Sequence, residues 1–130
     1  MSRTVIQTKD APAPVGPYNQ AIAASGQMLF LSGQIALDPQ TGALVGEGDV
    51  VQQTEQVMTN LQAVLQAGGS NFSQVIKTQV FLKDMNDFAT VNAVYAKYFD
   101  EASAPARACV EVARLPKDVL VEIDCIALVD

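Results

Sequence analysis

The sequence predicts a single α+β (α/β) domain: a six-stranded mixed sheet with two helices on one face, in the order β-β-β-α-β-α-β-β. Three observations on the 130 residues lead there. Two stretches, near residues 49–67 and 85–100, repeat apolar residues at helical spacing. Short β-branched and aromatic runs surround them, bounded by Gly, Pro, Asn and Asp. Helices separated by one strand and joined through right-handed crossovers fall on the same side of one sheet.

Residues 4–8, Thr-Val-Ile-Gln-Thr, read as the first strand. The connector Ala11–Pro17 lacks amide donors at three prolines and is too stiff for helix. A second strand from Tyr18 to about Ala24 turns at Ser25-Gly26-Gln27 and pairs as a hairpin with a third, Met28–Ala36. Ser32-Gly33 inside this apolar run marks a bulge or a close approach by another group, such as a ligand on the Gly33 amide. Asp38–Gly42 is a turn, and Asp49 is placed to cap the first helix. Its stripe is Val50, Val51, Thr54, Val57, Met58, Leu61, Val64 and Leu65, and Gly68-Gly69 stops it.

The fourth strand spans about Gln74–Lys83, with Ile76, Val80 and Leu82 on one face and Val75, Lys77, Gln79 and Phe81 on the other. Asp84-Met85-Asn86 leads into the second helix, expected to reach about Asp100 with Phe88, Val91, Tyr95, Tyr98 and Phe99 inward and Asn92 at the stripe's edge. Two final β-type runs flank Leu115-Pro116-Lys117-Asp118 and read as a hairpin. In the last run Val119, Val121, Ile123, Cys125 and Ala127 share one face; Leu120, Glu122, Asp124, Ile126 and Leu128 share the other.

Composition narrows the chemistry. Fourteen acids against eight scattered Lys and Arg give a net charge of −6, so no nucleic-acid partner is expected. With no histidine, the Ser-His and Cys-His nucleophile pairs and the commonest metal ligand are gone. The two cysteines, Cys109 and Cys125, have no CxxC spacing, and no metal site is expected. The first residues lack the apolar run of a signal peptide, and no stretch approaches membrane-spanning length. A soluble, cytoplasmic protein with no membrane partner is therefore expected. A hydrophobic share of 49% with few aromatics hints that the uncovered sheet face is buried against sibling subunits, with pockets between them.

Arg107 and Glu122 are the two charged groups that ask for an explanation. Arg107 opens a strand just after Pro105, and Glu122 sits among apolar neighbours. A buried charge needs a partner. The hairpin would set Glu122 opposite Val110 or Glu111, about 10–14 Å along the backbone from Arg107, a gap that a small acid could bridge. The plainer alternative is a solvated Arg and an edge-strand Glu that discourages aggregation. Cys125 reads as a small buried apolar residue, while Cys109, on the same strand face as Arg107, is placed to line a site. A thiolate nucleophile at Cys109 would need a base that the sequence does not offer.

The stretch Pro105–Ile123, with Gly16-Pro17-Tyr18, Ser32-Gly33-Gln34-Ile35 and Asn86–Asn92, resembles the RidA family (YjgF or L-PSP-like), and the likeness covers essentially the whole chain. The resemblance implies a chorismate-mutase-like fold and a homotrimer with three clefts at its subunit interfaces. It also implies cofactor-independent hydrolysis of reactive enamines and imines (2-aminoacrylate, 2-iminopropanoate, 2-iminobutanoate) to 2-keto acids and ammonia. In that chemistry Arg107 clamps the substrate carboxylate with its planar fork, and Glu122 positions and activates water. Substrate contacts would come from Tyr18, Ser32, the Gly33 amide and the Cys109 carbonyl, with Phe88 and Asn92 as pocket residues that a neighbouring subunit could supply. Two alternatives stay open: a non-catalytic keto-acid or amino-acid-binding regulatory or chaperone-like trimer, and an endoribonuclease or translation inhibitor, which the acidic charge disfavours.

Overall fold

The computed structural model describes residues 2–129. Its strands are β1 (Ser2–Ile6), β2 (Ala21–Ser25), β3 (Met28–Gln34), β4 (Val75–Leu82), β5 (Ala106–Glu111) and β6 (Val121–Leu128). Its helices are α1 (Val50–Ala67) and α2 (Phe88–Tyr95), so the element order is the expected one. Asp49 caps α1 by accepting the Gln52 N–H at 3.1 Å, and Gly69 turns out of it with φ +81°.

Hydrogen bonding divides the six strands into a β1-β2 antiparallel ribbon and a mixed four-stranded sheet in the order β3-β6-β4-β5. Both expected hairpins are therefore absent. β2 pairs with β1, and β3 pairs with β6, where Leu31 meets Cys125. β5 pairs in parallel with β4, because the chain between them crosses back through α2, and β6 lies antiparallel on the other side of β4. The turn chemistry at residues 115–118 is present, with Lys117 and Asp118 at φ 56° and 55°. It carries the chain past the end of β4 instead of closing a two-strand ladder. Lys83 N–H donates to Leu120 O at 3.0 Å, and Val112 N–H donates to Leu82 O at 2.8 Å.

Both helices cover the same sheet face. Val57, Met58, Leu61 and Leu65 of α1 and Val91 and Tyr95 of α2 pack on Leu31, Val80, Leu82, Ile123 and Cys125. Three details depart from the periodic reading. Val51 and Val64 are exposed, while Gln53 is buried because its amide donates to Gly46 O at 3.0 Å and accepts Leu120 N–H at 2.8 Å. A register shift between Val75 and Lys77 moves Val75 into the core. α2 ends at Tyr95, well before Asp100; a 3₁₀ turn follows, and Phe99 becomes extended so that its ring packs on Tyr95 (4.7 Å) and Phe72 (5.3 Å). Strands 1 and 2 are also shorter at the connector than expected, since Thr8 and Gln20 bond to each other there (Thr8 N–H to Gln20 Oε1, 2.7 Å).

The opposite face carries Phe30 (70% exposed), Met28 (44%) and Val110 (45%) in line with Phe81 and Ile126, an uncovered apolar surface. Among the described residues no helix is long and apolar enough to cross a membrane.

Candidate functional site

Arg107 lies across from Thr78 in the β4-β5 ladder, and Thr78 lies across from the buried Cys125 in the β4-β6 ladder. Its side chain therefore emerges on the helix-covered face. The approach is fixed by Asn19, whose amide donates to Ala104 O at 2.8 Å and whose backbone N–H donates to Pro105 O. The Gly16-Pro17-Tyr18 segment folds over the site, with Val15 N–H donating to the Tyr18 hydroxyl at 3.1 Å.

Three rings box the guanidinium, with their centroids 4.9 Å (Tyr95), 5.4 Å (Tyr18) and 5.7 Å (Phe88) from Arg107 Cζ. Arg107 Nη1 and Nη2 are buried with no acceptor, and Asn92 Oδ1 is buried with no donor. The two head groups lie near each other at Gly16: a Cβ there would be 3.0 Å from Arg107 Nη2 and 3.5 Å from the Asn92 amide nitrogen Nδ2. Unpaired buried polar atoms cost free energy unless something supplies their partners. A cleft of about 170 Å³ lined by Val15, Tyr18, Phe88, Arg107 and Cys109 opens beside them. Burial pushes the Cys109 thiol up, against a smaller opposing pull from Arg107, which disfavours a thiolate nucleophile.

Glu122 belongs to a second cluster. It lies across β4's Phe81, with Val110 on Phe81's other side, so the expected level of Glu122 with Val110 holds but with β4 between them. The β3-β6 register shifts between Leu31 and Gln34, which is the bulge at Ser32-Gly33. A Cβ at Gly33 would stand 2.1 Å from Glu122 Oε2, so the carboxylate lies directly on the glycine backbone. Ser32 is exposed beside it. Asp124, two residues along on the same face, has its carboxyl raised above the usual aspartate value by burial.

The eight expected site residues thus form two groups. Tyr18, Phe88, Asn92, Arg107 and Cys109 meet on the covered face, while Ser32, Gly33 and Glu122 meet on the open one. Arg107 and Glu122 are separated by one strand and three ladder steps, roughly 14 Å in the sheet plane, and point to opposite faces. One chain does not bring them into a shared hollow, contrary to the adjacent-strand arrangement the sequence suggested. Phe88 and Asn92, which a neighbouring subunit could have supplied, stand beside Arg107 of their own chain. Tyr95, Gly16 and Val15 were not singled out from sequence. Tyr95 carried one signal, a polar tip on an apolar helical stripe. Among the described residues no group of His, Cys, Asp and Glu is arranged to hold a metal ion.

Comparison with known proteins adds the following. The family described as Endoribonuclease L-PSP matches residues 8–129. A RutC family protein of Synechocystis is 70% identical, covering 98% of both chains. A 2-iminobutanoate/2-iminopropanoate deaminase of Salmonella typhimurium is 52% identical, again over 98% of each. Among solved structures, E. coli TdcF with bound serine superposes with a TM-score of 0.73 at 46% identity, covering 98% of this chain and 99% of that one.

Proposed function

This chain belongs to the Endoribonuclease L-PSP family, the RidA (YjgF) family that its sequence resembles, and we propose that it is a hydrolytic deaminase of small 2-imino acids. The observation that carries the reading is the buried Arg107 fork with two unsatisfied ends, near the Asn92 amide, whose own oxygen is also unsatisfied. A ligand carboxylate would supply the acceptors that Arg107 lacks, an N–H group beside it would supply the donor that Asn92 lacks, and a three- or four-carbon acid is of a size with the cleft of about 170 Å³ at Arg107. The 2-iminopropanoate and 2-iminobutanoate of the deaminase relatives have that form.

Arg107 binds the carboxylate in two-point fashion and orients C2; Asn92 accepts the imine N–H. Water adds to C2 as Glu122 takes one of its protons and passes it to the imine nitrogen, giving a carbinolamine. Glu122 then takes the carbinolamine's hydroxyl proton and delivers it to nitrogen as the C–N bond breaks, so ammonia leaves and the 2-keto acid forms. The imine is already electrophilic, so positioning and one carboxylate that shuttles two protons in turn suffice. Because Arg107 and Glu122 occupy opposite faces of one sheet, the working site takes Arg107 from one subunit and Glu122, Gly33 and Ser32 from the next. The apolar Phe30 face would be buried in that assembly, a cytoplasmic homotrimer.

The test couples the protein to a serine or threonine dehydratase and follows decay of the released imine. Faster decay with this protein, and background decay with Arg107→Ala, is the expected result. Wild-type protein that leaves the decay unchanged contradicts the reading; if it then binds 2-oxobutanoate all the same, it is a sensor.

A further inference from the structure

We propose that Tyr95 is a positioning residue: its ring, locked in place by Thr78, is the floor that holds the Arg107 guanidinium flat with its N–H edge unspent. In its effect on turnover, the inference rests on the deaminase reading above.

Tyr95 is the nearest of the three rings to Arg107 Cζ, at 4.9 Å, and it is fully buried. Its hydroxyl and the Thr78 Oγ1 share a hydrogen bond of 2.8 Å inside the core. Thr78 is itself only 1% exposed, a polar residue in an apolar strand, and this bond accounts for it. Thr78 is also the residue directly across the ladder from Arg107. One rung of the sheet therefore fixes both the cation and the ring beneath it. Phe99 packs on the same ring with centroids 4.7 Å apart, which restricts its movement.

A phenol pointing at a guanidinium would be a hydrogen-bond acceptor and would compete with a substrate carboxylate. Here the hydroxyl is engaged by Thr78, and Arg107 Nη1 and Nη2 keep no acceptor at all. The π-face attracts the cation without using its in-plane donors. Burial pushes the Tyr95 hydroxyl up to about 12, so it stays protonated and neutral at any working pH. Tyr95 touches no substrate in this arrangement. It acts through Arg107.

The test reads Arg107 directly. Arginine side-chain N–H resonances are followed by NMR in wild type, Tyr95→Phe, Tyr95→Leu and Tyr95→Met, with 2-oxobutanoate affinity by calorimetry and imine hydrolysis alongside. Tyr95→Met fills the space with a flexible chain should Tyr95→Leu fail to fold. The expected result is a ring-shifted Arg107 Nε–H signal in wild type and Tyr95→Phe. Without the ring, that shift falls to what Tyr18 and Phe88 contribute, and Kd and KM rise together about tenfold while kcat changes little. An unshifted signal in wild type, or unchanged Kd and KM in a folded variant lacking the ring, overturns the proposal. A ring shift that drops when Tyr95 is replaced, in a protein that neither binds 2-oxobutanoate nor hydrolyses imines, upholds the platform and overturns the deaminase reading instead.

Discussion

The two faces of the four-stranded sheet treat charge in opposite ways. On the covered face one guanidinium is enclosed by three aromatic rings and is complete within a single chain. On the open face two carboxylates, Glu122 and Asp124, share the surface with Phe30, Phe81 and Ile126. The cation's surroundings are settled by folding; the carboxylate's await a second surface. Under the proposed function the difference separates binding from chemistry: the proposed anion clamp is preorganised in the protomer, whereas the proposed water-activating carboxylate would become part of a site only on assembly.

The largest effect should come from the enclosed cation. Arg107→Ala is expected to lower kcat/KM by about 10²- to 10³-fold, in line with about 2–5 kcal/mol for truncating one partner of a buried charged pair. Ligand-free, the same guanidinium lacks acceptors, so Arg107→Met should leave the thermal midpoint unchanged or raise it. A midpoint falling as far as for a core truncation such as Leu61→Ala would mean that Arg107 is paired after all.

Next comes the open face itself. If the proposed trimer forms through this face, Phe30→Asp should dissociate it at micromolar protein and take activity with it, while circular dichroism still reports a folded chain. Retained activity in a monomer would erase the distinction between the faces. Gly33→Ala is gentler. Its Cβ displaces the Glu122 carboxylate, so kcat should fall about 10- to 100-fold with 2-oxobutanoate affinity kept within about threefold, measured by turnover and calorimetry.

The smallest effect concerns Asp124. Its folded-state pKa is raised, so its favourable contribution is fully present below the unfolded aspartate value and is lost as pH rises through the folded value. Asp124→Asn should therefore be more stable than wild type at neutral pH, and the gap should close in acid. Equal pH dependence in both proteins would count against burial of that carboxyl.

How much of this was legible in the sequence depends on range. α1 was readable from Asp49 to Gly69 because caps and the helical period are local. The bulge at Ser32-Gly33 was readable from one glycine. Strand partners were not: Leu115–Asp118 has genuine turn residues, yet β4, thirty-odd residues earlier, wedges between β5 and β6 through pairings that no local pattern encodes. Arg107 and Glu122 could be picked out as odd charges in apolar strands within a recognisable motif. Their faces could not, since face follows from partner and register. Tyr95 was read as core, which it is; its second duty depends on Thr78, seventeen residues away in sequence.

The division of the site between chains can be tested most directly by mixing two dead proteins. Arg107→Ala and Glu122→Gln subunits, each inactive alone, are unfolded together and reassembled in equal amounts. If each working site takes its guanidinium and its carboxylate from different copies, random assembly restores about one quarter of wild-type sites, and imine hydrolysis returns to that level. If both groups serve from the same chain, the mixture stays as inactive as its parents.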